Sequence, residues 1–590
     1  MRDVIVIGAG GGGAVIAKEL AARGLDVLVL EAGARFPDPQ RDWTHFEVDA
    51  NSPLSGFFRF GPSNRSQPAW RRELPQNSVL QQVAGVGGTT LHYFGNSPRA
   101  NPGVFVDYDG ADREAYDTAH LFPLSYRELI PYYEWVEYTL PVQTAPMGTK
   151  EEIFFRGAHK MGLPLQTTKD TAGAAYRPQE NAILQPGGSA GRTSDPAALR
   201  YPQATGCTLC GHCLQGCYQP LGSPRNLRAK RSTDNSYIPM AVTADRWSRG
   251  KPVTLLSDAF VCGVAADPNS ETRRVDWRST ITGAQASEEA RVVVMAGGTV
   301  ETPRLWLNCD LPNPNDQVGR GFTDHFSDAL GGIAPFYTGT SKGAGSNARV
   351  DFPGHGAIEQ FCGTPAFTAS SGLLSDGGIA GYYDNGLPRS PQGADVVGRV
   401  VGKELKDLMR DLDRILIVVV LTDDDVEAQN RVTPSATLSD EHGPVPRVEI
   451  HQRQRSARTI ANREFLAGKA AELLRAAGST KVYRFNFPPT MIHVHSTMRM
   501  GLRPEDSVLD ENCEARWAKR IFVADNSGLA NAVGGCNPTL TTQALATRTA
   551  ERIFQLYFGG DPWVCRESPV ASTDSRITEA VALAAGVSGD

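Results

Sequence analysis

The stretch that decides the fold is Val4-Ile-Val-Ile-Gly-Ala-Gly-Gly-Gly-Gly13, near the start of a 590-residue chain. Its four apolar residues predict a strand that runs straight into glycines. The segment from Ala14 to Arg23 predicts a helix that ends at Gly24, and Val27-Leu-Val-Leu30 predicts a second strand. The order strand, helix, strand predicts a βαβ unit of the kind that binds dinucleotides.

Three glycines of this unit occupy the G-x-G-x-x-G positions, each for its own reason. Gly8 allows the tight turn, Gly10 lets the backbone approach a pyrophosphate, and Gly13 lets the helix pack closely on its strand. Glu31 follows Gly13 by 18 residues, where a carboxylate accepts hydrogen bonds from a ribose diol and repels a 2′-phosphate. The unit therefore disfavours NADP but does not choose between NAD and FAD.

Composition excludes several classes of protein. Hydrophobic residues make up 41% and charged residues 21%, which indicates a large packed core and argues against disorder. Lys and Arg number 59 against 65 Asp and Glu, so no basic excess suggests a nucleic-acid partner. The sequence shows neither an apolar run of about 20 residues nor a secretory signal, so we expect a cytoplasmic protein without a membrane span.

Three further segments extend the pattern along the chain. They are Gly85-Val-Gly-Gly-Thr-Thr-Leu-His92, the strand–turn–helix pattern at 292–306, and Ile521 to Asp525 followed by Gly534-Gly-Cys-Asn-Pro-Thr539. Together with the N-terminal unit, they resemble the glucose–methanol–choline (GMC) oxidoreductases, especially pyranose oxidase-like and sugar or gluconate dehydrogenase-like members. The resemblance covers residues 4 to about 558 and keeps the family's motif order.

The resemblance implies FAD bound in extended form. The positions that match the family's cofactor contacts are Gly8, Gly10, Gly13, Glu31, Gly87, Gly88, Thr89, Thr90, Asp525, Pro538 and Thr539. His92 matches the histidine that pyranose oxidases bond covalently to the flavin, but sugar dehydrogenases of the family hold FAD non-covalently in the same register. We slightly favour a histidine that only hydrogen-bonds near the flavin.

The expected fold is α/β, with a discontinuous Rossmann-like FAD-binding domain and a substrate domain whose antiparallel sheet is backed by helices. We place the FAD-binding domain at 1–105, 225–330 and 490–560, and the substrate domain at 331–489. Residues 106–224 form a loop-rich insertion, and residues 561–590 form a C-terminal tail.

A candidate catalytic pair lies in the last third of the chain. The segment His493-Val-His-Ser-Thr-Met-Arg-Met-Gly501 resembles the family motif H-x-x-G-T-x-R-M-G, whose first histidine is the catalytic base. Asn537 matches the second member of the pair, which donates a hydrogen bond to the substrate oxygen. Ser496 stands where the motif has glycine, and His495 is the rival base because alternate residues of a strand lie on one face.

Four cysteines form a C-x2-C-x2-C-x3-C run, with the sulfur spacing of a bacterial ferredoxin segment. Three interpretations stay open: an iron–sulfur cluster that relays electrons, a structural zinc site, or cysteines that simply line a loop. The candidate metal ligands are Cys207, Cys210, Cys213 and Cys217.

The sequence thus predicts FAD-dependent oxidation of a CH–OH group in a sugar, glycoside or other secondary alcohol, with proton abstraction by His493 and hydride transfer to flavin N5. The electron acceptor is oxygen or a carrier, so oxidase and dehydrogenase both remain open, as does a partner subunit. The alternatives are an FAD-binding electron-transfer subunit without its own alcohol chemistry, and a nicotinamide-dependent reductase.

Overall fold

The structure is a computed structural model of the chain. It describes residues 1–35, 72–75, 79–186, 206–215, 217, 228–363, 365, 380–381, 400–451, 455–485 and 490–584.

The strands within the described ranges are numbered here in chain order. They are β1 Arg2–Ile7, β2 Val27–Leu30, β3 Val79–Leu80, β4 Gln143–Thr144, β5 Ala175–Pro178, β6 Glu180–Asn181, β7 Thr254–Leu256, β8 Ala259–Ala265, β9 Arg273–Ser279, β10 Gln285–Met295, β11 Asp328–Ile333, β12 Ala348–Phe352, β13 Gly356–Phe361, β14 Ala380–Gly381, β15 Ile415–Thr422, β16 Arg431–Asp440, β17 Gly443–Glu449, β18 Lys481–Arg484, β19 Thr490–Met491 and β20 Ile521–Val523.

The α-helices of the same ranges are numbered in the same way. They are α1 Gly13–Ala22, α2 Tyr126–Thr139, α3 Thr149–Lys160, α4 Tyr237–Val242, α5 Ala244–Trp247, α6 Gly298–Asn308, α7 Gly402–Arg410, α8 Ala457–Ala476, α9 Thr539–Phe558 and α10 Ser575–Ala584.

The first sheet is built from three distant parts of the chain. Its order is β7-β2-β1-β10-β9-β8, with β20 also paired to β10. The pairs among β7, β2, β1, β10 and β20 are parallel, whereas β9 pairs antiparallel with both β10 and β8. Because β1, β10 and β20 are parallel neighbours, the loops that follow them meet at one edge of the sheet, where α/β folds bind their ligands.

The second sheet has the order β14-β18-β11-β15-β13-β12-β5, and its neighbouring strands are antiparallel. Helices α3 and α8 pack on one face, where their side chains form a core with Val350, Ile358 and Val418. Side chains alternate along a strand, so Arg349 and Glu359 lie on the opposite face. The expected fold class, a Rossmann-like domain plus an antiparallel sheet backed by helices, is confirmed.

Several predicted elements agree with the structure. The predicted strand–helix–strand at the N-terminus is β1, α1 and β2. The run Ile415-Leu-Ile-Val-Val-Val-Leu421 has the length and the β-branched residues of a buried strand, and it lies in the buried strand β15. Ser125 and Ser456 cap α2 and α8 through hydroxyls that accept hydrogen bonds from Glu128 and Thr459 amides, at 3.0 and 3.1 Å. The domain boundaries remain predictions, and β5 of the second sheet comes from the 106–224 segment.

Two elements differ from what the sequence predicts. The segment from Gln543 to Tyr557 predicts a helix, and this helix begins earlier, at Thr539, immediately after Pro538. The segment from Met491 to His495 predicts a short strand, but the strand ends at Met491, and His495 makes only an isolated bridge with Thr323. The segment from Ile577 to Val587 predicts a helix at the C-terminus; its residues up to 584 form the end of α10, and residues 585–587 lie outside the described ranges. Within the described residues, the structure contains no helix long and apolar enough to cross a membrane.

Candidate active site

The glycine-rich turn after β1 is packed so tightly that side chains are excluded at two of its three motif positions. A Cβ on Gly8, whose φ is +105°, would lie 2.3 Å from the carbonyl oxygen of Ala296. A Cβ on Gly13 would lie 2.1 Å from the carbonyl oxygen of Gly8. Gly10 is different, because its Cβ would meet no protein atom nearer than Gly88 Cα at 3.7 Å. The turn therefore leaves no space for a side chain at Gly8 or Gly13, but it does leave space at Gly10.

The loop at 87–92 lies directly against this turn. The Gly87 amide donates to the carbonyl oxygen of Ala9 at 3.0 Å. A Cβ on Gly88 would come within 2.7 Å of Gly10 Cα, so glycine is required for this close approach. Gly88 and Thr89 belong to a short 3₁₀ helix, Gly88–Leu91, and the Thr90 hydroxyl closes the preceding turn by donating to Gly87 at 2.6 Å. The two predicted cofactor segments are thus adjacent.

Glu31 directly follows β2 and contacts the same turn. Its two carboxylate oxygens accept hydrogen bonds from the amides of Ala9 at 2.8 Å and Gly33 at 2.9 Å. Burial raises the pKa of this carboxyl to about 7, although the amide hydrogen bonds oppose the shift. The backbone amide of Gly85 also interacts with this carboxylate. A carboxylate has about four lone-pair sites, so it can still accept a hydrogen bond from a ribose hydroxyl.

The residues that follow β20, Asp525 and Asn526, join the ends of β10 and β20 to the histidine segment. The Asp525 carboxylate accepts hydrogen bonds from the Gly298 amide at 2.8 Å and the Thr302 hydroxyl at 2.6 Å, both at the start of α6. The carbonyl oxygen of Val494 accepts from Thr299 Oγ1 at 2.8 Å and from Asn526 Nδ2 at 3.2 Å. The histidine segment is therefore fixed over the carboxyl edge of the parallel sheet.

His493 and Asn537, the predicted catalytic pair, lie side by side. His493 Nε2 is 3.4 Å from Asn537 Nδ2. Asn537 directly precedes α9, where Pro538 is the N-cap and Thr539 is the first residue, so the positive end of the helix dipole lies beside the pair. This arrangement places a proton acceptor and a hydrogen-bond donor next to each other at a helix N-terminus.

The electrostatic surroundings keep His493 neutral. Burial lowers the pKa of His493 well below its usual value, and the nearby His325, His495 and Arg349 lower it further. The imidazole of His325 lies 5.0 Å from that of His493, ring centre to ring centre. The buried Asp324 carboxylate accepts a hydrogen bond from the His493 backbone amide at 2.8 Å, which holds the backbone of the residue. A neutral imidazole can accept a proton from a hydroxyl.

His495, the rival base, is fully buried, whereas His493 is partly exposed. Its Nδ1 lies 2.9 Å from the Ser496 hydroxyl. Ser496 adopts φ +74°, which explains why the family motif has glycine at this position. The serine gives up glycine's conformational freedom and provides a hydrogen-bond partner for His495.

His92 directly follows the 3₁₀ helix at 88–91 and is buried. Burial lowers the pKa of His92 to about 3, and Lys230 adds to the shift. The ammonium of Lys230 donates to the carbonyl oxygens on both sides of His92, Leu91 and Tyr93, at 2.8 Å each. It also donates to the carbonyl oxygen of Cys213 at 2.7 Å, and so it links the loop at 87–92 to the cysteine segment.

The four cysteines Cys207, Cys210, Cys213 and Cys217 line one small pocket together with Lys230 and Ile183. Burial raises the pKa of Cys207 to about 12 and also raises those of Cys210 and Cys213, so these thiols are protonated. Across the described residues, no group of three or more His, Cys, Asp or Glu side chains is arranged to hold a metal ion. The geometry describes a loop lined by cysteines and gives no support to an iron–sulfur or zinc site.

The structure adds two residues to the site that sequence reasoning missed. Arg349 Nη1 and Gln179 Nε2 lie 3.4 and 3.3 Å from Asn537 Oδ1. Both side chains are fully buried and come from the second sheet or its edge. A charged residue that alternates with apolar ones normally indicates a solvent-facing side chain, so the sequence alone gave no signal for this contact.

These residues fit a flavin dinucleotide. The turn has space at Gly10, where a pyrophosphate approaches in the dinucleotide-binding fold, and the N-terminus of α1 points toward that space. Glu31 lies at the ribose position of the same unit, and the His493–Asn537 pair lies beyond the ends of β10 and β20. Close contacts of Gly8 with Ala296, of Gly12 with Ala524 and of Gly88 with Gly10 bring these segments together.

Comparison with known proteins agrees with this geometry. The GMC oxidoreductase family model matches residues 418–546, and a model described as an NAD(P)-binding Rossmann-like domain matches residues 6–72. The 6'''-hydroxyparomomycin C oxidase of Streptomyces lividus is 27% identical over 93% of this chain and 91% of its own length. The fructose dehydrogenase large subunit of Gluconobacter japonicus is 25% identical over 93% of this chain and 97% of its own.

Solved structures show the same fold. The formate oxidase of Aspergillus oryzae RIB40 superposes with a TM-score of 0.59, covering 95% of this chain and 99% of that one at 12% identity. The motifs keep the family order along the chain, and both the N-terminal and the C-terminal parts match family models. In its C-terminal part, at residues 418–546, the chain carries a domain that the GMC oxidoreductase family model describes.

Proposed function

We propose that this protein is an FAD-dependent enzyme that oxidises a CH–OH group of a sugar, a glycoside or another secondary alcohol to a carbonyl. The observation that carries the proposal is the 3.4 Å approach of His493 Nε2 to the Asn537 amide over the carboxyl edge of the parallel sheet. Homologues over nearly the whole chain are oxidases and dehydrogenases by name, which supports the same class of reaction.

The roles of the two residues follow from their chemistry. The neutral His493 Nε2 takes the hydroxyl proton of the substrate, and Asn537 Nδ2 donates a hydrogen bond to the substrate oxygen as negative charge develops there. Bound FAD supplies the two-electron acceptor for the hydride that leaves the adjacent carbon. Fixing the alcohol between the two side chains orients its C–H bond and removes most of the entropic cost of the encounter.

Within this class of reaction we favour a polyhydroxylated substrate. The two homologues named above are called a 6'''-hydroxyparomomycin C oxidase and a fructose dehydrogenase large subunit, which supports this choice.

The identity of the electron acceptor is a separate part of the proposal. One homologue is named an oxidase and the other the large subunit of a dehydrogenase, so both oxygen and a carrier are consistent with the family. Peroxide formation in air identifies an oxidase, whereas turnover with a dye but without peroxide identifies a dehydrogenase. Iron in the purified protein would revive the electron-relay hypothesis for the cysteine segment.

The test of the function is anaerobic bleaching of the bound flavin by a panel of sugars, glycosides and simple secondary alcohols. We expect at least one polyhydroxylated member to bleach the flavin, with a slower rate when deuterium replaces hydrogen on the reacting carbon. This measurement reports the chemical step without requiring the acceptor. A flavin that dithionite bleaches but no alcohol does would instead favour an electron-transfer subunit, and a colourless preparation would favour a nicotinamide enzyme.

The pH dependence of turnover provides a further prediction. Only the neutral form of His493 accepts the proton, and its pKa is lowered by burial, so activity should persist as the pH falls below 6.5. We expect the acid limb of kcat/KM to lie below pH 6.5, where an unperturbed histidine would already be gaining its proton. Circular dichroism at each pH separates loss of base function from unfolding. An acid limb at pH 6.5 or above would contradict a base that the surroundings keep neutral.

A separate prediction is that His92 contacts the flavin without a covalent bond to it. The buried, low-pKa imidazole is compatible with a residue that only contacts the flavin. Fluorescence of the denatured chain on a gel decides the matter, because a covalent flavin stays with the chain.

A further inference from the structure

The side-chain amide of Asn537 is held from behind by two donors. Its Oδ1 lies 3.4 Å from Arg349 Nη1 and 3.3 Å from Gln179 Nε2. A guanidinium has no acceptor, so the atom that faces Arg349 is the amide oxygen. The amide nitrogen is therefore the atom that faces His493 Nε2, at 3.4 Å.

Arg349 is itself fixed by a row of charges on the second sheet. It lies on β12 directly opposite Arg177 on β5 and Glu359 on β13. Its guanidinium donates to Asp351 at 2.8 Å and to Glu359 at 2.9 Å. Burial by itself would raise the pKa of Asp351, but Arg349 and Arg177 hold it below its usual value, so the carboxylate is charged. A fully buried arginine that is neutralised in this way has little freedom to move.

Gln179 supplies the second donor from the edge of the same sheet. Its backbone amide donates to the carbonyl oxygen of Asn347 at 2.7 Å, which ties the residue to the start of β12. Its side chain is fully buried next to Asn537. Two rigid donors on one oxygen favour one orientation of the amide over the flipped one.

We propose that Arg349 and Gln179 are positioning residues that orient Asn537 so that its N–H, not its oxygen, faces the reacting hydroxyl. This inference rests on the proposed function and deepens it. A flipped amide would present an acceptor to a developing alkoxide and would repel it. The positive guanidinium also polarises the amide, which strengthens the hydrogen bond that Nδ2 donates.

The test compares two conservative variants of the same charged cluster. Arg349→Lys keeps the charge beside Asp351 and Glu359 but loses the planar fork that reaches Asn537. Arg177→Lys is the matched control, because Arg177 also contacts Asp351, at 2.9 Å, and otherwise contacts Glu180. Both are made in the wild-type background and in the Asn537→Ala background.

We expect Arg349→Lys to slow anaerobic flavin reduction at saturating substrate by about 10- to 100-fold, with KM changed less than about threefold. Arg177→Lys should change the same rate less than about threefold, and in the Asn537→Ala background Arg349→Lys should add less than about twofold. A second readout is independent of turnover: a neutron crystal structure of Arg349→Lys, in which the amide nitrogen and oxygen are distinguishable, should show the Asn537 amide rotated or in two orientations. If Arg349→Lys does not fold, Gln179→Leu is judged by the same readouts.

Two results would overturn the inference. Equal losses for Arg349→Lys in both backgrounds, or equal losses for the two lysine variants, would mean that the cluster only stabilises the sheet. An unmoved Asn537 amide in the variant crystal would mean the same. Failure of the proposed function is distinguishable, since the wild-type flavin would then be bleached by no alcohol, while the crystal structure would still report the orientation of the amide.

Discussion

Replacing His493 with glutamine should lower the rate of flavin reduction by about 10²- to 10⁴-fold, which is the usual contribution of a general base. Glutamine keeps the volume and polarity of the side chain but cannot take up the hydroxyl proton. The purified variant should retain its yellow colour, because the cofactor surface is formed by the glycine turn and the 87–92 loop. The measurement is anaerobic stopped-flow bleaching by the best substrate of the panel.

The matched control for this variant is His495→Gln. His495 is two residues away, and like His493 it packs against His325. It is fully buried next to Ser496. We expect it to lose less than about tenfold in the same rate, since it has no place beside Asn537. A reversed order of the two effects would assign the base to His495.

The second large effect concerns the glycine turn. Gly10→Ala should abolish or strongly weaken FAD binding, with at least a tenfold rise in Kd, which corresponds to about 1.4 kcal/mol. The added methyl group meets no protein atom closer than 3.7 Å, so the cost falls on the cofactor and not on the fold. Flavin content after purification and titration of the apoprotein with FAD measure the effect.

Gly13→Ala is the contrasting variant in the same turn. Its methyl group would lie 2.1 Å from the carbonyl oxygen of Gly8, so the helix must move away from β1. We expect its apoprotein to unfold at lower denaturant concentration, by several kcal/mol, while the Gly10→Ala apoprotein unfolds like wild type within about 0.5 kcal/mol. Wild-type FAD affinity in Gly10→Ala would contradict the placement of the pyrophosphate.

The local pattern of the sequence was enough for much of the fold. Gly8, Gly10 and Gly13 lie between two apolar strands, and that spacing admits few structures other than a βαβ unit. The boundaries failed where tertiary contacts outweigh propensity. Helix α9 begins at Thr539, although its Thr-rich first turn has low helix propensity, because Thr541 and Thr542 form hydrogen bonds with Tyr133 and Asn526. The strand at Met491 stops early because the next backbone groups, the His493 amide and the Val494 carbonyl oxygen, form hydrogen bonds with side chains and not with a neighbouring strand.

The sequence predicted only part of the candidate site. His493 and Asn537 carry a motif with a chemical reason, so they could be named before their proximity was known. Arg349 and Gln179 could not, because they lie 188 and 358 residues from Asn537 along the chain and meet it only through sheet pairing. The cysteine spacing left a metal centre and a simple loop both open, and within the described residues no group of side chains is arranged to hold a metal ion.

A crystal structure of the purified yellow protein, with its flavin and an unreactive alcohol analogue, tests the central claim most directly. We predict that the flavin ring lies beside His493 and Asn537, and that the hydroxyl of the analogue contacts both His493 Nε2 and Asn537 Nδ2. An imidazole of His493 turned away from the ring, or an analogue bound elsewhere, would contradict the account.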